Sequence, residues 1–346
     1  MVGHLTLRNF RSYASLELAL SPGIVLVTGE NGSGKTNLLE AMHLGTQGFS
    51  PRTRTDGRLI RFGESQAAVR LKIDREGVGH EVAVKLGRGA AKTAELDGSR
   101  LASADSLRRE FPTLVFTPDR LAVIKGAPAV RRAYLDRALT RLLPGRAGLP
   151  LEYAATLAQR NAALRRVQLG LSGRDALEPW TERLAALAEL LVAARREALA
   201  ALQPGFSERL EQLGLSGGAL RYEGDPPGAE ALESRLEADI ARGATGLGPH
   251  LDEVAIEASG RELRGFGSQG EQRLALLALL LAEASLLPES PLLLLDDVLS
   301  ELDARRRGVL AECVAGLRQT VITTTHRSAL PVEPSQLVEV SHGTAV

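Results

Sequence analysis

The chain has 346 residues with 42 basic and 42 acidic side chains, so any surface for a polyanion must be a local patch and not a global field. Apolar residues make up 44% of it, enough for one large core or two modest ones, while aromatics at 3% argue against a base-stacking platform. Cys313 is the single cysteine, which excludes a disulfide framework and a cysteine metal site, and the six histidines lack ligand spacing.

The N-terminus carries Arg8 and Arg11 amid alternating polarity and is not expected to be a signal peptide. Leu5 and Leu7, then Leu16, Leu18 and Leu20, alternate with polar residues and predict a half-buried hairpin. "GIVLVTG" (23–29) is a continuous apolar run, typical of a central strand covered on both faces. A helix is expected from Lys35, with Leu38, Leu39 and Met42 on one face. "AAVRLKI" and "HEVAVKL" read as further strands of a β-rich lobe reaching residue 100, and "PTLVFTPD" (112–119) as one more.

From 120 the period becomes helical. Leu177, Trp180, Leu184, Leu187, Leu191, Ala194 and Ala198 follow 3–4 spacing, a short heptad seam or an ordinary bundle helix, about 45 Å long. Breaks are expected at "LPGRAGLP" (143–150) and "LGLSGRD" (169–175). Strand and turn chemistry returns at 246–263. A helix with the apolar block 274–282, a strand "PLLLLDD" (291–297), a helix from Asp303 and a strand "TVITTT" (320–325) complete the chain. The apolar block, bounded by Arg273 and Glu283, is too short to span a bilayer. A cytoplasmic protein without membrane contact is expected.

"GENGSGKT" (29–36) fits G-x-x-x-x-G-K-[ST] between a strand and a helix, the context that motif requires. Gly29, Gly32 and Gly34 let the backbone curl, so that the run Gly29, Glu30, Asn31, Gly32, Ser33, Gly34 points successive N–H groups at phosphates. The helix that follows adds its positive end. Lys35 supplies a mobile cation for the β- and γ-phosphates, and Thr36 a hydroxyl for Mg²⁺. The partner carboxylate comes from "LLLLDD": Asp296 on the Mg²⁺ side, Asp297 one residue further, placed to orient water. Together these say ATP or another NTP with Mg²⁺.

"GFGSQGEQRLALLALLLAE" (265–283) places glycines and a serine at the head of a buried helix. Ser268 can be a plain N-cap. It can also be the serine of an ABC-type signature helix, which with Gly270 faces the γ-phosphate held by another subunit. "SELD" (300–303) is similar to the D-loop of such enzymes, and His326 could sense the γ-phosphate or be a solvated loop histidine.

On "LRNFRSY" (7–13), "GENGSGKTNLLEA" (29–41), "PDRLAVIKGAPAVRRAYLD" (118–136), "GPHLDE" (248–253), "FGSQGEQR" (266–273) and "LLLLDDVLSELD" (292–303), the chain resembles the RecF family, the SMC-like branch of ABC ATPases. The resemblance implies an α/β fold. An ABC-type P-loop ATPase head, a mixed sheet with helices plus a β-rich lobe, would comprise 1–119 and 246–346. An inserted helical arm would comprise 120–245. It also implies a weak, DNA-stimulated ATPase acting in DNA repair, with ATP closing a homodimer on DNA at gaps and double-strand/single-strand junctions. The partners it implies are RecR and RecO, and indirectly RecA, in a cytoplasmic, nucleoid-associated setting. Arg120 stands where the family tends to have an acid, and Leu251 where it often has arginine. The base position holds Asp297, as in RecF-like proteins, where most ABC enzymes have glutamate.

Candidate DNA contacts are Arg52, Arg54, Arg58 and Arg61 in one loop, Lys72 and Lys85 on the β-rich lobe, and Arg131 and Arg132 in the arm; each could equally be a solubilising charge. The other reading of the same motifs is the ATPase subunit of a membrane transporter, which would need a shorter helical subdomain and a signature closer to LSGGQ.

Overall fold

The computed structural model describes residues 1–346, the side chain of Asp105 excepted. In chain order, β1 (Val2–Phe10) and β2 (Tyr13–Ala19) form the expected hairpin, β3 (Gly23–Thr28) is the apolar strand, and α1 (Lys35–Gln47) follows the phosphate loop. β4 (Gln66–Arg75), β5 (Val78–Gly87), β6 (Ala90–Leu96) and β7 (Ser99–Arg100) build the β-rich lobe, and α2 (Asp105–Glu110) leads into β8 (Thr113–Phe116). Helices α3 (Ala122–Lys125), α4 (Pro128–Leu142), α5 (Leu149–Gln168) and α6 (Glu178–Gln212) come next. After them run β9 (Ala219–Glu223), α7 (Ala229–Ser234), α8 (Leu236–Arg242), β10 (Glu253–Ala258), β11 (Arg261–Glu262), α9 (Leu263–Phe266) and α10 (Gln269–Leu286). The chain closes with β12 (Leu292–Leu295), α11 (Ala304–Ala315), β13 (Gln319–Thr324), β14 (Gln336–Ser341) and β15 (Thr344–Ala345).

Two compact units result: Met1–Leu121 with Gln212–Gly214 and Leu287–Val346, and Ala122–Glu211 with Leu215–Leu286. The expected resumption of the head at 246 is not where the contacts divide. Residues 246–286 group with the helical segment because β10 pairs with β9, which the helical texture of 120–245 concealed.

In the first unit β14, β3, β13, β12 and β8 lie side by side and parallel. Their apolar runs reflect burial on both faces. An antiparallel sheet, ordered β2-β1-β4-β5-β6-β7, carries the alternating leucines. Helix α1 touches both sheets, and Leu38, Leu39 and Met42 join one core with Leu5, Leu7, Val25, Val69 and Val321. Because the strands are parallel, the segments after β3, β12 and β13 emerge at one edge, the usual ligand edge of such a sheet.

In the second unit, α6 runs 35 residues, about 52 Å at 1.5 Å per residue. Its seam residues Leu184, Leu187, Leu191, Ala194 and Ala198 pack with Leu135, Leu139, Tyr153 and Val254, so the seam serves a bundle core. Buried arginines cross this unit. Arg195 bonds Asp136 and the carbonyl of Pro249, and Arg160 bonds Asp239 and Thr245. No helix among the described residues is long and apolar enough to cross a membrane.

Candidate functional site

The phosphate loop turns from β3 into α1. Gly34 has φ +119°, and a Cβ there would lie 2.9 Å from Ser12 Oγ and 3.0 Å from the Tyr13 hydroxyl. Tyr13, buried under the loop, donates to the Gly34 carbonyl at 3.1 Å, and burial pushes its own pKa upward. Lys35 is buried, and its ammonium donates to the carbonyls of Gly29 (2.7 Å) and Glu30 (2.8 Å). Burial lowers its pKa, opposed by the charges of Asp297 and Asp296.

Asp296 follows β12 on the neighbouring edge. Thr36 Oγ1 donates to its two oxygens at 2.9 and 3.1 Å, and Thr323 Oγ1 donates to Oδ1 at 2.8 Å. Burial raises its pKa, against the two threonine bonds and the charge of Arg52. Asp297 adopts φ +51°, uncommon outside glycine, and its N–H donates to Thr323 Oγ1 at 2.9 Å. Its Oδ1 is buried without a hydrogen-bond partner among the described residues. Ser33 Oγ is likewise buried and unpartnered in the loop. The hard oxygens of Thr36 and Asp296 fit Mg²⁺, which takes one or two protein oxygens plus phosphates; no cluster of three or more His, Cys, Asp or Glu suited to a metal is found among the described residues. Asn31 and Gly32 are exposed at the top of the loop, and exposed His326 follows β13 at the same edge.

Sequence reasoning missed two supports of this pocket. Thr323 holds both aspartates in register, and its signal was a buried polar strand, Thr320, Thr323 and Thr324. Glu40, fully buried in α1, is gripped by Arg11 at 2.8 Å through two bonds, by Ser50 at 2.5 Å and by Arg52 at 3.3 Å. Its signal was a lone acid on the apolar face of α1.

Ser268 and Gly270 belong to the second compact unit, where both are exposed. Ser268 is the N-cap of α10 in a capping box. Its Oγ accepts the Glu271 N–H at 3.3 Å, and the Glu271 carboxylate accepts the Ser268 N–H at 2.7 Å. The Ser268 N–H, and after it the Ser268 hydroxyl, hold the Glu271 carboxyl below its usual range. Buried Gln272 steadies the approach by donating to the carbonyls of Leu263 (2.9 Å) and Gly267 (3.2 Å). The plain-cap reading is therefore realised. Asp303 caps α11, accepting the Arg306 N–H at 2.9 Å.

The candidate DNA residues separate. Arg131 is 2% exposed, bonded to Glu253 at 2.8 Å and to the carbonyls of Ile124 and Gly126, so it cannot reach a phosphate and is a core residue. Arg132 is half-buried on the Asp252 carbonyl, which leaves little of it for DNA. Arg52 bonds Asn37 and Glu40 on α1, the helix that follows the phosphate loop. Lys85 is exposed but paired with Glu95 at 2.7 Å, and exposed Lys72 faces Glu81 across the strands. Arg54, Arg58 and Arg61 are exposed and make no ion pair among the described residues.

The family model "RecF/RecN/SMC N terminal domain" matches residues 1–345. "DNA replication and repair protein RecF" of Heliobacterium modesticaldum is 37% identical over 358 residues, covering 96% of this chain and 94% of its own length. The protein of that name from Streptomyces avermitilis is 37% identical, over 99% and 98%. A solved structure of "the recombination mediator protein RecF-ATP in RecFOR pathway" superposes with a TM-score of 0.88 at 28% identity, covering 100% of this chain and 96% of that one. An Smc head domain from Pyrococcus furiosus, TM-score 0.61 at 19% identity and covering 99% and 94%, shares the fold. The architecture is thus the RecF/SMC-head form of the ABC-type ATPase. With a family model matched over residues 1–345 and relatives 37% identical over nearly their whole length, the chain belongs to the RecF family.

Proposed function

We propose that the chain is an ATP-gated DNA-binding dimer of recombinational repair and a slow, DNA-stimulated ATPase. The bond between Thr36 and Asp296 carries this reading, because it brings a hydroxyl and a carboxylate from distant segments to the mouth of an anion cradle.

The loop from Gly29 to Gly34, the N-terminus of α1 and Lys35 would bind the phosphates. Thr36 and Asp296 would hold Mg²⁺, which neutralises charge on the transferring phosphoryl group. Asp297 would orient the attacking water and take its proton; its unpartnered Oδ1 supports that role. Aspartate reaches one methylene less far than glutamate, which fits a timer and not a motor.

Ser268, Gly270 and their helix would complete the site of a second copy, so that ATP closes a homodimer on DNA and hydrolysis opens it. His326 would report the γ-phosphate at the sheet edge. Gaps and double-strand/single-strand junctions are the proposed targets, with RecO and RecR as partners and RecA loading as the outcome, in a nucleoid-associated cytoplasmic setting. The names of the relatives support this context. Arg54, Arg58 and Arg61 would meet phosphates, giving binding that ignores sequence and weakens steeply with salt. The full-length family match removes support from a transporter subunit.

The test is retention of gapped duplex by the wild type and by Lys35→Met, with and without ATP, at 50 and 200 mM salt. Wild-type binding should require ATP and fall at least tenfold across that salt range, and Lys35→Met should bind poorly throughout. ATP-independent binding, or affinity unchanged by salt, would overturn the reading.

A further inference from the structure

Phe62 is 98% exposed, the highest value among the exposed large hydrophobic residues. Leaving a phenylalanine in water forgoes the largest single burial a side chain of its kind can offer. It does not dangle. Phe62 and Gly63 are the central residues of a tight turn closed by the Glu64 N–H on the Arg61 carbonyl at 3.0 Å, with Gly63 at φ +88°.

That turn is pinned on both sides. The Arg61 N–H donates to the Asn9 carbonyl at 2.8 Å, Asn9 Nδ2 donates to Glu64 at 3.2 Å, and Ile60 bridges to Phe10. From the other side, Arg88 Nε donates to the Glu64 carbonyl at 2.9 Å. The ring is presented on a fixed pedestal.

Its neighbours set the chemistry of what it meets. Arg54, Arg58 and Arg61 are exposed and unpaired among the described residues, in a chain whose acids and bases balance. Of the two acids beside them, Asp56 is taken by Lys92 at 3.0 Å, which leaves three arginines against the single carboxylate of Glu64, itself held by Asn9 at 3.2 Å. No second large apolar side chain of this segment is exposed, so the patch lacks the apolar core of a protein interface. An exposed aromatic ring in one segment with three exposed arginines that make no ion pair among the described residues matches one unpaired base flanked by phosphates. The scarcity of aromatics excludes a stacking platform along a strand, but a single ring suffices at the point where a duplex ends.

We propose that Phe62 stacks on the first unpaired base at a double-strand/single-strand junction, with Arg58 and Arg61 holding the adjoining phosphates. This rests on the DNA-binding reading above and adds to it the residue that distinguishes a junction from continuous duplex. Phe62 acts as a structure reader without reading sequence.

The experiment compares wild type, Phe62→Ala, Phe62→Trp and Arg58→Ala/Arg61→Ala with ATP present. The probes are a junction carrying 2-aminopurine at its first unpaired position and a closed circular duplex without ends or gaps. Phe62→Ala should lose about tenfold in junction affinity, the scale of one stacked base, while its duplex affinity and ATP hydrolysis without DNA stay within twofold. Phe62→Trp should keep junction binding. The wild type should change the 2-aminopurine emission, and Phe62→Ala should not. The double arginine variant should weaken both DNAs and flatten the salt dependence.

Equal losses on junction and duplex, or no loss on either, would overturn the proposal while leaving ATP-gated DNA binding intact. So would an ATP-dependent dimer weakened by Phe62→Ala, which would make the ring a contact between copies. Failure of the wild type to bind either DNA would instead defeat the DNA reading itself.

Discussion

Thr36 and Asp296, 260 residues apart in sequence, meet through two hydrogen bonds of 2.9 and 3.1 Å at the mouth of the phosphate loop. The contact is the point at which the first and last parts of the first compact unit become one site. It also places a carboxylate where burial disfavours its charge.

That burial yields a prediction about pH. The folded pKa of Asp296 lies above its ordinary value, so the folded state favours the protonated form. Asp296 therefore weakens the fold as pH rises through that raised pKa, and burdens it least at low pH. Asp296→Asn should stabilise the nucleotide-free chain by roughly 0.5–2 kcal/mol at neutral pH. The gain should fade on acidification, and ATP hydrolysis should be lost throughout. Urea melts between pH 4 and 8 would check it; a variant less stable than wild type at pH 7 contradicts it.

The capping box lets the two roles of Ser268 be separated. Aspartate is as good an N-cap as serine, so Ser268→Asp should melt within about 0.5 kcal/mol of wild type. It should also bind ATP as the wild type does. A negative charge would then face a partner's γ-phosphate, and ATP-dependent assembly should fall by at least tenfold. Calorimetry and light scattering on the same sample distinguish the roles. Assembly that survives the added charge would leave Ser268 as a cap alone.

Arg131 was a reasonable DNA candidate in the sequence, and its burial against Glu253 gives it a different signature. Arg131→Ala should cost roughly 2–4 kcal/mol by leaving two carbonyls without their donor and Glu253 with only the Val254 N–H and Arg264. DNA affinity per folded molecule should be unchanged. Arg131→Met with Glu253→Leu should recover part of the stability. A stable Arg131→Ala with weakened DNA binding would reverse the assignment.

The legible parts of this fold are those whose pattern is local. The apolar runs of β3 and β12, the glycines before α1 and the 3–4 spacing along α6 each announce themselves within a dozen residues. Other strands escaped, and two of them show why. "ALRYE" (219–223) is short, partly exposed and embedded in helical text, and only its pairing with β10 makes it a strand. "QLVEVS" (336–341) is held by β3, more than 300 residues away. The same holds for the site. Lys35, Thr36 and Asp296 follow from motifs, whereas Thr323 and Glu40 act through contacts that no spacing reveals. Arg131 shows the reverse error, since a charge in sequence does not say whether it points to water or inward to a carboxylate and two carbonyls.

The central claim is that one chain carries half of each catalytic pocket, with Lys35 and Asp296 in one copy served by Ser268 of another. Sedimentation velocity of the wild type, Lys35→Met and Ser268→Arg, each with and without ATP and Mg²⁺, tests it most directly. The wild type alone should dimerise, and only with ATP. Lys35→Met should fail to hold nucleotide, and Ser268→Arg should hold it while remaining monomeric. A wild type that stays monomeric when saturated with ATP, or a Ser268→Arg chain that dimerises as readily as wild type, would contradict the account.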